Sequence, residues 1–271
     1  MKIVALAENS TERAGLDTVH GLSIHIKTEK HKLLFDLGPD ETCFRNAERL
    51  GIDLAEVDTV VISHGHYDHG GALAEFLGVN AIAKIYIRRQ AFEPHFASVK
   101  GERLFIGLNP DLAENERIVF AEDAMRIDGE LFLFSGADGV FDTQSGRALL
   151  KKAPDGYVQD DFDHEQNLIV TTEGVAVLFS GCSHSGIAGI LSAGEQYQPD
   201  IGTVFGGFHM YNPNTGVTEP AETVRELAEK LASYDSVFYT CHCTGAEAFG
   251  QMSEIMGEKL RRFSTGSVIE L

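Results

Sequence analysis

Three histidines and an aspartate fall within six consecutive positions, in the segment His64-Gly65-His66-Tyr67-Asp68-His69-Gly70-Gly71. In an extended segment, residues two apart point the same way, so His64 and His66 share a face. Asp68 and His69 follow at a turn and add an oxygen and a nitrogen donor. Imidazoles with a carboxylate suit a borderline divalent metal, zinc first, with iron, manganese and cobalt accepting the same donors. Gly70 and Gly71 let the backbone turn and approach closely. A metal held there would lower the pKa of water and stabilise negative charge growing on a carbonyl or phosphoryl oxygen.

The elements around this segment are those that place an active-site loop. VDTVVIS (57–63) is a continuous apolar run, expected of a strand buried on both faces, and ALAEFLG (72–78) reads as a short helix. Loops between such strands and helices carry the sites of α/β proteins. Upstream, KIVALAEN (2–9) and LSIHIKT (22–28) alternate as strands, and KLLFDLG (32–38) ends at a Gly-Pro turn. ETCFRNAERLGI (41–52) has helical spacing, with Phe44, Ala47 and Leu50 on one face and Gly51 at its stop. AKIYIRR (83–89) is a further strand.

From about 90 to 165 glycine, proline and acidic residues break the pattern. ERLFIGL, ERIVFAE and ELFLFSG remain as strands within what reads as variable connections over the site. NLIVTTE and GVAVLFSG then form a hairpin turning at Glu173-Gly174. GIAGILSAGEQY, EPAETVRELAEKLASY and GAEAFGQMSEIMG read as helices, and IGTVFGGF, SVFYTCHCTG and SVIEL as strands. Strands then helices, twice over, predict two packed sheets with helices on both outer faces, in one domain spanning residues 1–271.

Composition sets the outer bounds. The chain has 271 residues, 43% apolar and 23% charged, which is globular and long enough to bury roughly 70–75% of its unfolded surface. Forty-one acidic against twenty-two basic residues give a net charge of −19. Such a field repels polyanions, so nucleic acid and anionic membrane surfaces are excluded as partners. A locally bound metal would still attract a small anionic substrate. The start, MKIVALAENS, has too short an apolar run for a signal peptide, and no run approaches the ~20 apolar residues of a membrane span. A cytoplasmic protein is expected, and Cys43, Cys182, Cys241 and Cys243 are then expected as thiols or metal neighbours.

The His-x-His-x-Asp-His segment resembles the signature of the metallo-β-lactamase superfamily, and the likeness runs over nearly the whole chain. Asp36 in LLFDLG matches the acidic residue that ends an early strand in that superfamily, and the segments from Gly181 to Gly186 (GCSHSG) and from Cys241 to Gly245 (CHCTG) match its third and last ligand motifs. Glu8-Asn9, His20-Gly21-Leu22-Ser23, Asp161-Phe162-Asp163-His164-Glu165 and Gly206-Gly207-Phe208-His209 narrow it further. Together they resemble the branch of dihydropterin–ribofuranosylaminobenzene phosphate synthases and metal-dependent hydrolases.

The resemblance implies a four-layer αββα sandwich with two divalent metals at one edge of the paired sheets. His64, His66 and His184 would hold one metal, and Asp68, His69 and His242 the other. Spacing alone supports the first cluster; His184 and His242 enter through the resemblance. Asp36 would accept a hydrogen bond from a ligand histidine and fix its orientation. Asp68 would also orient an attacking water, and His209 would bind one metal, donate a proton or contact substrate.

Two departures stand out. Many members place a bridging aspartate between the third and last ligands; here His209 stands at that place. Cys241 stands where the branch often has glycine. Because strand neighbours face opposite ways, His242 and both flanking cysteines are not expected to face one metal. Glu8, Asn9 and His20 are candidates for the site wall, and Arg88 and Arg89 for a substrate phosphate. The reading is a metal-dependent hydrolase or pterin-diphosphate transferase acting on a small phosphorylated anion. A metal-binding sensor without turnover is the alternative class. A di-iron oxidoreductase is the other alternative; such enzymes usually carry an acidic residue at the place of His66 and a flavin domain.

Overall fold

A computed structural model describes residues 1–138 and 142–271. The first half carries β1 (Lys2–Ala7), β2 (Ser23–Lys27), β3 (Lys32–Phe35), α1 (Thr42–Arg49), β4 (Thr59–Val61), α2 (Tyr67–Gly70), α3 (Leu73–Val79) and β5 (Lys84–Ile87). The middle carries β6 (His95–Val99), β7 (Glu102–Phe105), β8 (Ile118–Phe120), β9 (Ala124–Arg126), β10 (Leu131–Phe134), α4 (Gln144–Arg147), β11 (Leu149–Ala153) and β12 (Gly156–Gln159). Then follow β13 (Asn167–Thr172), β14 (Val175–Phe179), α5 (Ile187–Tyr197), β15 (Ile201–Gly206), β16 (Tyr211–Asn212) and β17 (Val217–Thr218). The chain closes with α6 (Ala221–Ala232), β18 (Val237–Thr240), α7 (Ala246–Met256), β19 (Leu260–Arg262) and β20 (Val268–Glu270).

Two seven-stranded sheets form the centre, in the orders β20-β1-β2-β3-β4-β5-β8 and β19-β18-β15-β14-β13-β10-β9. Alternation along each strand sends neighbouring side chains into different layers. Ile3 and Ala5 of β1 meet Leu168, Val177, Phe179 and Phe205 of the other sheet in the central layer. Val4 and Leu6 face the opposite way, among Ala47 of α1 and Leu73 and Phe76 of α3. On the second sheet, Ala176, Leu178 and Val204 pack against Ile190, Leu191, Val224, Leu227 and Met252 of α5, α6 and α7. This is the αββα sandwich expected from the element order. The alternation seen in KIVALAEN marks two buried faces, because a helix layer covers the side that alternation alone would leave to solvent. Among the described residues, no helix is long and apolar enough to cross a membrane.

The stretch read as connections holds more than that. β12-β11-β6-β7 form a third, antiparallel sheet. β7 lies within ERLFIGL, read as a strand, whereas β6, β11 and β12 escaped notice because they are only partly buried and show no clean apolar alternation. A signal was nevertheless present. The β11–β12 hairpin closes through Pro154-Asp155-Gly156, a turn-forming triplet. The expected hairpin at Glu173-Gly174 is present, and both residues take positive φ, 49° and 83°.

Candidate metal centre

The histidine-rich segment leaves the end of β4, and the other candidate residues leave the ends of β14, β15 and β18. β3, β4 and β5 run parallel in one sheet, as do β14, β15 and β18 in the other. Their carboxyl ends therefore converge on one edge of the sandwich, where parallel sheets place their sites. Four non-glycine residues at this edge hold left-handed backbone: Asp36, Ser183, His209 and His242, with φ of 62°, 54°, 50° and 50°. Strain of this kind persists only where surrounding structure enforces it, and it concentrates at functional sites. The glycines act mainly through close approach. A Cβ on Gly71 would lie 2.3 Å from the Tyr67 carbonyl oxygen and 2.6 Å from that of Pro39, and one on Gly181 would lie 2.2 Å from Ser63 Oγ.

His64, His66 and His184 are buried, with donor atoms all within 4.8 Å of one another. Nε2 of both His64 and His66 is buried without a hydrogen-bond partner. His64 Nδ1 lies 2.8 Å from Ser63 Oγ, which itself donates to Asp36 Oδ2 at 2.7 Å. That relay puts the His64 proton on Nδ1 and leaves Nε2 as a lone-pair donor. His184 Nδ1 stands 3.3 Å from Glu165 Oε1, and its backbone N–H donates to the same oxygen at 2.7 Å. Burial, reinforced by the neighbouring histidines, pushes His64 and His66 well below the ordinary histidine value and His184 below it. All three are neutral, as metal ligands must be. Burial opposes the charge on Glu165, but His184 and the Ser185 N–H hold its carboxyl down to about 2.

The second group lies beside the first. His69 Nε2 is 3.3 Å from His242 Nε2, and Asp68 Oδ2 is 3.2 Å from His242 Nε2 and 4.0 Å from His69 Nε2. His69 Nδ1 donates to Asp36 Oδ2 at 2.6 Å. His242 Nδ1 donates to Asn9 Oδ1 at 2.8 Å, and the His242 N–H to Glu8 Oε1 at 2.7 Å. Both rings thus turn Nε2 toward Asp68. Burial opposes charge on His69 too, yet the Asp36 and Asp68 carboxylates raise it to about 9. Burial likewise opposes the Asp68 carboxylate, but His69, His20 and His242 hold it well below the usual range. The unpartnered buried Nε2 of His64 and His66, and the Nε2 of His69 and His242 turned together beside Asp68, fit divalent cations held by imidazole and carboxylate.

The remaining candidates sort by position. His20 Nε2 lies 3.3 Å from Asp68 Oδ2, and its ring centroid is 4.6 Å from that of His242. Glu8 and Asn9, expected on the site wall, instead sit behind His242, and the Glu8 carboxylate also accepts from Ser10. Arg88 is spent on the carbonyls of Ala121 and Asp163 and on Asp123, and Arg89 lies 3.7 Å over the Phe120 ring. Arg88 nevertheless lines a second cavity, of about 660 Å³, together with Glu165 and His184, whereas Arg89 lines neither that cavity nor the one over the centre. His209 is buried with both ring nitrogens unpartnered, 4.5 Å from the His184 ring between centroids.

As expected, His242 and both flanking cysteines do not all face one side, but strand alternation is not the reason. β18 stops at Thr240, and residues 242–244 form a tight helical turn. His242 and Cys243 therefore reach the same side, where their donor atoms group with Cys182. Cys241 alone points into the central layer.

Sequence reasoning passed over several residues that support the site. Glu165 and His164 stood in the quoted DFDHE segment without a role. His164 Nδ1 accepts the Gly65 N–H at 2.9 Å, between the two leading histidines. Asp160 accepts from His95 Nδ1 at 2.8 Å and lies 3.4 Å from His164 Nε2. Ser63 carried no signal beyond its place beside His64.

A cavity of about 160 Å³ opens over the centre. Its floor is His66, Asp68, His184, His209 and His242, and its wall is Ala97, Leu104, Ile106 and Leu149 from the third sheet and its flanks. Among the described residues, no lysine or arginine lines it.

A model of the metallo-beta-lactamase superfamily matches residues 16–196, and the chain belongs to that superfamily. It is 27% identical to the 7,8-dihydropterin-6-methyl-4-(beta-D-ribofuranosyl)-aminobenzene-5'-phosphate synthase of Methanocaldococcus jannaschii, over 100% of this chain and 96% of that protein. Among solved structures, Tm1679, a metal-dependent hydrolase of the beta-lactamase superfamily, matches with a TM-score of 0.83 at 26% identity, covering 100% of this chain and 99% of that one. Zn(2+)-bound PqqB from Methylobacterium extorquens matches with a TM-score of 0.59 at 10% identity, covering 100% of each chain, a likeness of fold alone. The family, the full-length likeness to a synthase and the clustered donors make the chain a metal-dependent enzyme.

Proposed function

We propose that the chain, read as one domain over residues 1–271, is a di-metal enzyme acting on a small phosphorylated anion. The reaction is hydrolysis or transfer from a dihydropterin diphosphate. The observation that carries the reading is the side-by-side pair of donor groups, with His64, His66 and His184 in one and Asp68, His69 and His242 in the other. Two divalent ions, zinc first, would supply Lewis acidity and offset charge at the phosphoryl oxygens. The cavity itself offers no lysine or arginine among the described residues, so a phosphate entering it has no other cation to meet.

The protein's own groups would then act as follows. Asp36, Asn9 and Glu165 hold the ligand rings with Nε2 inward. Asp68 and His20 orient the attacking hydroxyl or water. His209, unpartnered at the cavity floor, donates a proton to the leaving group. The synthase-like relative, whose named product carries a dihydropterin and a phosphate, favours a small phosphorylated substrate. The test is elemental analysis of the purified protein joined to a screen of phosphoesters and dihydropterin diphosphates. Two equivalents of metal with turnover of either class supports the reading. Less than half an equivalent of every metal, in folded protein supplied with excess metal, refutes it.

A further inference from the structure

Cys182 occupies the centre of the donor cluster. Its side chain is buried, and its Sγ lies 3.2 Å from His69 Nε2. The same sulfur stands within 4.8 Å of a donor atom of His64, of His184 and His209, and of His242 and Cys243. His64 is likewise grouped with His66 and His184 on one side and with His69 on the other, so Cys182 and His64 both stand where the two donor groups meet. The nearest distances are informative. Asp68 Oδ2, His69 Nε2 and His242 Nε2 are separated by 3.2 Å (Asp68–His242), 3.3 Å (His69–His242) and 4.0 Å (Asp68–His69), and Cys182 Sγ joins them at 3.2 Å from His69 Nε2 and within 4.8 Å of a His242 donor. Four donors around a tetrahedral zinc, at about 2.0–2.1 Å for nitrogen and oxygen and 2.3 Å for sulfur, are separated by roughly 3.3–3.6 Å.

The sequence supplies an independent reason to look for a fourth donor. No aspartate follows β15, so the second group has only three carried-over ligands. His209, which stands in the aspartate's place, has both ring nitrogens buried and unpartnered and groups with His184 and Cys182, not with Asp68, His69 or His242, in the sets named. Zinc and cobalt both accept thiolate readily, and sulfur, unlike a neutral imidazole nitrogen, can bridge two ions.

We propose that Cys182 is a metal ligand, completing the donor set of Asp68, His69 and His242 and replacing the missing carboxylate. The proposal rests on the di-metal reading above. The bond forms between sulfur and cation, the S–H bond breaks, and its proton passes to solvent with no change of oxidation state. Cys243, whose Sγ approaches the Cys182 carbonyl and the His209 N–H, remains a neighbour and not a ligand.

The test uses the full chain loaded with cobalt(II), whose thiolate bonds give a charge-transfer band in the near ultraviolet. The expected result is a band in the wild type and in Cys243→Ser, and no band in Cys182→Ser. Cys182→Ser should also weaken binding of one of the two equivalents by roughly 10–100-fold or more, with unchanged circular dichroism. A di-cobalt wild type with no band overturns the proposal while leaving the di-metal reading intact, and needs no variant to fold. A band that survives in Cys182→Ser, or is lost in Cys243→Ser, overturns it also. A wild type that binds no cobalt overturns both.

Discussion

Oδ2 of Asp36 lies 2.6 Å from Nδ1 of His69, and both side chains are completely buried. The same carboxylate accepts the Ser63 hydroxyl that receives the His64 proton. One acidic residue therefore fixes the tautomer of a histidine in each donor group. Asparagine there would present an N–H₂ to one of these donors. Asp36→Asn should lower affinity for metal by about 10–100-fold, the usual cost of losing such a partner. Titration with a chromophoric chelator would measure it, and wild-type affinity in the variant would remove Asp36 from this role.

His66→Ala should lose one metal equivalent and all turnover while the fold stays. The central layer is built from apolar strands such as β1, β13 and β14, none of which depends on the histidines. Elemental analysis and circular dichroism, run together, decide it. A collapsed spectrum would mean that metal holds the sandwich together, as it does in small zinc domains.

His209→Ala should lower turnover by about 10²–10⁴, the range for a lost general acid, with metal content unchanged. Loss of an equivalent would instead make His209 a ligand. No change in either quantity would make the buried ring incidental.

A pH effect is expected far from the centre. His31 joins Asp58 of one sheet's loop to Asp128 of the other's, with Nδ1 and Nε2 at 2.9 and 2.6 Å from the two carboxylates. Burial lowers its pKa, but the bonds to Asp58 and Asp128 outweigh that and raise it above 6.5. A raised folded value means the stabilisation is complete below the unfolded value and is lost as pH rises through the folded one. His31→Ala should therefore cost more stability at pH 6 than at pH 9, read as the shift in urea midpoint at each pH. An equal shift at both would show that packing, not charge, explains the residue.

Much of the centre was readable because four donors are contiguous in the chain. His64, His66, Asp68 and His69 mark a candidate metal site by spacing alone. His184 and His242 do not, since the fold brings them from more than a hundred residues away and their local pattern is a strand end before glycine. The layers were legible wherever strands are wholly apolar. Of the third sheet only β7 was legible, in ERLFIGL, because β6, β11 and β12 are partly buried and carry no periodic signal. Glu8 and Asn9 were assigned to the right place and the wrong face, since their partner is the His242 backbone and ring, which only the fold brings near. The turn at His242 hid the approach of Cys243, because strand alternation was extended past the point where β18 ends.

The wall of the cavity and its floor come from separate stretches of chain. Ala97, Leu104, Ile106 and Leu149 belong to the third sheet and its flanks, while the donors sit at the ends of strands in the two large sheets. Mutation can therefore reshape admission without relearning capture. A lineage can trade one guest for another by drift at those four wall positions, with the donor side chains untouched. An engineer can recast residues 96–106, which hold most of β6 and all of β7 and no strand of the two large sheets, as an interchangeable cover that leaves His64, His66 and their companions where they are.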